Sequence, residues 1–148
     1  MGSAKLDDSL RAAGQLTVAF LCLYGSIFVL ILLRKKHLSR KAKANKTKFD
    51  RYKSFEMHVV DRLQGNFLEW SPLFLGLTWS LAAVGALCET LTLIAAWMYV
   101  AVRFLYIILV LQNGVAQDGL NKALWPSTFP AYACLLFMAF RAIAVLYF

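Results

Sequence analysis

Apolar residues gather in four long stretches divided by polar ones. Leu16 to Leu33 carries no charge and is about long enough to cross a ~30 Å hydrocarbon core. It exceeds a signal-peptide core, and its basic flank follows it instead of preceding it, so it reads as an uncleaved first span. A second stretch starts amphipathically near Phe55 and turns apolar from Leu73 to Leu87, with Pro72 placed to kink it. After the short link Cys88-Glu89-Thr90, a third runs from Leu91 to Leu111 and a fourth from Phe129 to Phe148. The pattern predicts one all-α integral-membrane domain. It is a bundle of four transmembrane helices over about 16–33, 57–87, 91–111 and 129–148, joined after the first span by a basic loop over 34–53.

Polar residues interrupt this pattern in a regular way. The segment DRLQGNFLEWSPLF, Asp61 to Phe74, sets Arg62, Asn66 and Glu69 at the entry of a span. At about 100° per residue these three share one stripe, whereas Gln64 lies on roughly the opposite side of the helix. Ionisable groups at membrane depth are costly unless they face a partner or a water-filled cavity. The stripe is therefore either a functional site or a polar clamp between helices. The third span carries a second stripe, Tyr99, Arg103, Tyr106 and Val110. Counting rise along each helix, Glu69 lies about 10 Å below Arg62 and Arg103 about 13 Å from the helix end near Gln112. Glu69 and Arg103 are thus expected to face each other, within a subunit or across a subunit boundary. A pocket lined by both Arg62 and Gln64 would lie between subunits. With Asn66, Trp70, Tyr99 and Tyr106 it would offer bidentate donors, amides and aromatic walls, which suit a zwitterionic, multi-carboxylate ligand such as a small peptide.

Composition agrees with the hydropathy pattern: 60% of the 148 residues are hydrophobic, too many for an ordinary soluble domain. The net charge of +8 does not point to nucleic acid, because 10 of the 16 Lys and Arg fall between positions 34 and 53. That is one juxtamembrane loop, and the positive-inside rule places it on the cytoplasmic side, or on the matrix or stromal side of an organelle. Both termini then face the opposite side of the endoplasmic reticulum or organelle membrane. The loop also attracts anionic headgroups of the lipid bilayer, at about 1 kcal/mol per residue. Cys22, Cys88 and Cys134 have neither disulfide nor metal spacing and read as small buried hydrophobes. Arg141, near the end of the fourth span, reads as a structural cation that snorkels toward the interface.

The run Arg62-x-Gln64-x-Asn66-x-x-Glu69, then Pro72-Leu-Phe-Leu, then Arg103-x-x-Tyr106 in the third of four spans, resembles the MAPEG family, the membrane-associated proteins of eicosanoid and glutathione metabolism. The resemblance covers about Arg34 to Phe148. It implies a homotrimer that binds glutathione between neighbouring subunits near the cytoplasmic face. By matching position, Arg62, Gln64, Asn66, Glu69, Arg103 and Tyr106 would hold the tripeptide, with Trp70 at a position that is aromatic in relatives. Arg34 matches a basic residue that ends the first span. Two departures concern thiol activation. Val110 stands where activating members commonly carry tyrosine, and no arginine occurs between Arg103 and Arg141. Lys122 is the sole cation in that interval and, with Arg34, is the candidate for stabilising a thiolate. Two functions follow. One is a glutathione-dependent transferase or peroxidase acting on a lipophilic small-molecule substrate. The other is a non-catalytic member serving as a structural subunit of a larger membrane complex. An unrelated four-helix transporter is a third reading, for which the chain offers a single polar cluster.

Overall fold

The computed structural model describes residues 3–114 and 121–147; the Asp118-Gly119 turn and Phe148 lie outside them. Four α-helices account for most of the described chain: α1 (Ser3–Ala44), α2 (Phe55–Ala83), α3 (Thr90–Asn113) and α4 (Trp125–Tyr147), the last preceded by a single 3₁₀ turn at Lys122–Leu124. Three segments are long and apolar enough to cross a membrane: α1, α3, and α4 with its 3₁₀ turn. In α2 the polar stripe and Pro72 dilute the apolar content, so it stands apart from the other three. α1 packs along α2 and α3 along α4, and contacts of α2 with α4 and of α1 with α3 close the bundle.

The helices depart from the expected spans in several places: α1 begins at Ser3, ahead of Leu16, and α4 at Trp125, ahead of Phe129. Residues 34–44 of the expected basic loop continue α1 as helix, so the connection to α2 is only Asn45 to Ser54. Lys and Arg are good helix formers, and once nucleated by the span the helix extends through them at little cost. Leu38 and Phe49 pack against the core and hold the return. Ser54 then caps α2, its hydroxyl accepting from the Met57 amide at 3.4 Å. At the other end α2 stops at Ala83, short of Leu87. Gly85 adopts φ +68, its amide donates to the Ala82 carbonyl, and the Ala86 amide donates to the Leu81 carbonyl at 2.9 Å. This double closure is a Schellman motif, which ends a helix wherever glycine offers a left-handed residue.

An aromatic cluster joins three helices. Phe20 of α1 lies 5.7 Å from Phe67 and 5.1 Å from Phe74 of α2, ring centre to ring centre. Phe74 stacks on Tyr99 of α3 at 4.4 Å. All four rings are buried. The outer surface is the reverse of a soluble protein's, with Leu21, Phe28, Leu32, Leu136 and Phe140 all exposed. Cys22 shares that outer surface, so the expectation of a buried cysteine fails there, while Cys88 and Cys134 are half-buried. Arg141 does not merely snorkel. It donates to Glu89, the residue that begins α3, and Lys5 of α1 lies 3.9 Å from the same carboxylate.

Phe20→Ala is expected to cost about 3–5 kcal/mol, because the hole opens where three helices meet. A large fall in the thermal unfolding temperature of the detergent-solubilised protein, with a much smaller fall for Phe20→Leu, is the check.

Candidate functional site

Arg103 is the most deeply buried charge described, with 3% of its surface exposed. Its Nη1 donates to the Asn66 side-chain oxygen across the α2–α3 contact at 2.7 Å. The guanidinium carbon sits 5.0 Å from the centre of the Tyr99 ring and 5.9 Å from those of Phe67 and Tyr106. These faces stabilise the cation through their quadrupoles. Its Nε and Nη2, and the Tyr99 hydroxyl, have no partner among the described residues. Asn66 is thereby oriented: with its oxygen committed to Arg103, its amide NH2 is free to donate elsewhere.

The expected Glu69–Arg103 pair is absent within the chain; Asn66 takes that place, and Glu69 is exposed. Asn66 and Glu69 differ by three residues, about 4.5 Å of rise, so within one chain Arg103 meets the level of Asn66; a contact of Glu69 with Arg103 of a neighbouring copy is a separate expectation. Glu69 instead lines a cavity of about 410 Å³ with Arg62, Asn66, Tyr106, His58, Asp61 and Gly65. Arg103 stands behind this wall, bonded to Asn66. The Arg62–Asn66–Glu69 stripe does face one space, as the helical period requires. His58 extends it by one more turn, at i−4 from Arg62, a signal present in the sequence and overlooked. Asp61 is held by Arg51 of the short connection, at 2.6 and 3.4 Å, and this hydrogen bond and charge raise the Arg51 pKa above its ordinary value. The connection is thus pinned to the rim of the cavity.

The other expected site residues lie elsewhere in the chain. Gln64, half-buried, is on another face of α2, and Trp70 packs on Tyr132 of α4, ring centres 4.8 Å apart. Arg34 donates to Glu56 at 3.1 Å and borders a second cavity, about 310 Å³, with Val59, Val60 and Val110 in its wall. Lys122 is exposed at the start of the 3₁₀ turn. One chain therefore gathers Arg62, Asn66, Glu69 and Tyr106, backed by Arg103, and leaves Arg34, Gln64, Trp70 and Lys122 off that cavity.

A family model for MAPEG matches residues 15–144, nearly the whole chain and all four helices. The chain belongs to the MAPEG family. It is thereby placed among membrane proteins associated with glutathione and eicosanoid metabolism. No curated protein and no solved structure matches it. Arg62, Asn66 and Glu69 of α2 and Tyr106 of α3 line one cavity, with Arg103 bonded to Asn66 behind it.

Asn66→Leu should leave Arg103 as a buried cation without a polar partner and destabilise the protein by about 2–3 kcal/mol. Adding Arg103→Met removes the stranded charge, so the double variant should be more stable than Asn66→Leu alone. Thermal unfolding of the single and double variants in detergent measures the difference.

Proposed function

We propose that this MAPEG member is a membrane-bound glutathione transferase or peroxidase. In this reading it assembles as a homotrimer with α2 as a fourth span, and acts on a lipophilic electrophile or lipid hydroperoxide that arrives from the bilayer. The observation that carries the reading is the cavity of about 410 Å³ into which a cation, an anion, a pre-oriented amide and a phenol converge. A zwitterionic tripeptide with two carboxylates and one ammonium fits this donor set. Arg62 takes a carboxylate through its planar fork, Glu69 takes the ammonium, and the Asn66 NH2, aimed by Arg103, donates to a carbonyl or carboxylate. Tyr106 supplies a hydroxyl and one aromatic wall.

Glutathione supplies the sulfur nucleophile, which must be ionised to react. Arg34 and Gln64, on other faces of the same chain, would reach the cavity from a neighbouring copy. That arrangement makes the assembled trimer the binding unit. Lys122 or Arg34 then places a positive charge near the thiol and lowers its pKa. Lysine does this as a mobile point charge, with less directional hold than a guanidinium.

A specific observation favours a second reading, a non-catalytic subunit of a larger membrane complex. Val110, at the position of the activating tyrosine, is fully buried and offers no hydroxyl. The two readings separate on thiolate formation and not on binding.

Calorimetry of glutathione binding to the detergent-purified protein tests the reading. Arg62→Ala and Glu69→Gln should each weaken binding about 10- to 100-fold, the loss of one charge-assisted hydrogen bond. Gly65→Ala is a sharper probe, since a Cβ there meets no atom within 4 Å. It should stabilise α2 by about 0.5–1 kcal/mol yet weaken glutathione binding by intruding on the cavity. A folded wild-type protein that does not bind glutathione would sink both the transferase and the peroxidase. Binding with a thiolate absorbance that disappears in Lys122→Ala supports the enzyme; binding without any thiolate signal supports the silent subunit.

A further inference from the structure

At the end of the bundle away from the Arg62–Glu69 cavity lies another cavity, of about 390 Å³, lined by Glu89, Thr90, Leu91, Thr92, Phe137 and Arg141. Three features of it bear on what it could hold. The α3 helix begins here without a side-chain cap, because the Glu89 carboxylate is engaged by Arg141 instead of turning back on the helix. The Glu89 amide donates to the Ala86 carbonyl and the Leu93 amide to the Glu89 carbonyl, which leaves the amides of Thr90, Leu91 and Thr92 with no acceptor among the described residues. Thr92 is 1% exposed and its hydroxyl oxygen has no partner. Free amides at the start of a 24-residue helix, beside a guanidinium and an idle hydroxyl, favour an oxyanion.

Two further facts narrow the ligand. Glu89 sits among these donors, so the cavity presents a negative group close to its positive ones. The rest of the wall is apolar: Phe137 is half-buried, and Leu91 is 69% exposed on the outer surface. A free phosphate would leave Glu89 opposed to it and the apolar wall unused. We propose that this cavity binds the headgroup of a zwitterionic phospholipid. The phosphodiester accepts from the α3 amides, the Thr92 hydroxyl and Arg141. The ammonium lies against Glu89, and an acyl chain runs along Leu91 and Phe137 into the bilayer. The site stands at the membrane end of a helix, where headgroups are, and it does not depend on glutathione being the ligand of the other cavity.

The test uses the detergent-purified full chain and a short-chain phosphatidylcholine as the probe, with binding read by native mass spectrometry and by the shift in thermal unfolding. Saturable binding of one lipid per subunit is expected. Thr92→Val, which exchanges the hydroxyl for a methyl of similar size, should weaken it about tenfold while leaving the fold unchanged. Glu89→Gln should abolish the preference for phosphatidylcholine over phosphatidylglycerol. The proposal is overturned by equal binding of both lipids to the wild type, which would make the site a plain anion site. It is overturned too by competition from inorganic phosphate, which would make the ligand a free anion, or by unchanged binding in Thr92→Val. Glutathione calorimetry on Thr92→Val should match the wild type, which separates a failure here from a failure at the other cavity.

Discussion

The burial of one guanidinium organises the centre of this bundle. Arginine cannot shed its proton, so a buried Arg103 must be solvated by the protein itself. Asn66 of α2 supplies one hydrogen bond and Phe67 of α2 one ring face, while Tyr99 and Tyr106 of α3 supply two more faces. That set specifies how α2 and α3 cross and in what register, because sliding one helix along the other would part Arg103 from the Asn66 oxygen and from the Phe67 ring. Phe67 also stacks on Phe20, so α1 is drawn into the same arrangement. Five donors with one hydrogen-bond acceptor is a poor balance for a structural clamp. A clamp selected for stability alone would pair the guanidinium with a carboxylate or replace the pair by apolar residues.

How much of this was legible depends on the kind of signal. The apolar runs located the helices, and the 3.6-residue period put Arg62, Asn66 and Glu69 on one cavity, since both depend only on local geometry. Within the chain Arg103 meets Asn66 and not Glu69, because relative sliding of antiparallel helices depends on packing, and one turn exchanges the two. Clustered charge predicts a loop over 34–53, yet residues 34–44 are helix, because lysine and arginine do not oppose helix. Arg34 pairs within the chain with Glu56 at the start of α2, 22 residues away, a contact that nothing local announces. Glu89 and Arg141 are 52 residues apart, and nothing local announces that ion pair.

The position of Val110 bears on whether the fold is kept for chemistry or for scaffolding. Valine is a small side chain for a fully buried position. Core positions that lose volume are ordinarily filled by repacking, since interiors tolerate few voids. Here Val110 instead borders an open cavity of about 310 Å³ with Val59 and Val60, and the Arg34–Glu56 pair stands at its polar rim. Phe55 and Leu111 complete its apolar side, so the space remains although bulky side chains already stand around it. That the space remains, beside a cation held by a single exposed ion pair, favours selection for an opening over selection for packing. An exposed ion pair of this kind contributes little to stability, about 1 kcal/mol or less, so Arg34 is available to another carboxylate at small cost. Arg141 differs in its place: its partner Glu89 stands at the N-cap of α3, with Lys5 of α1 3.9 Å from the same carboxylate, so its exchange touches three helices at once.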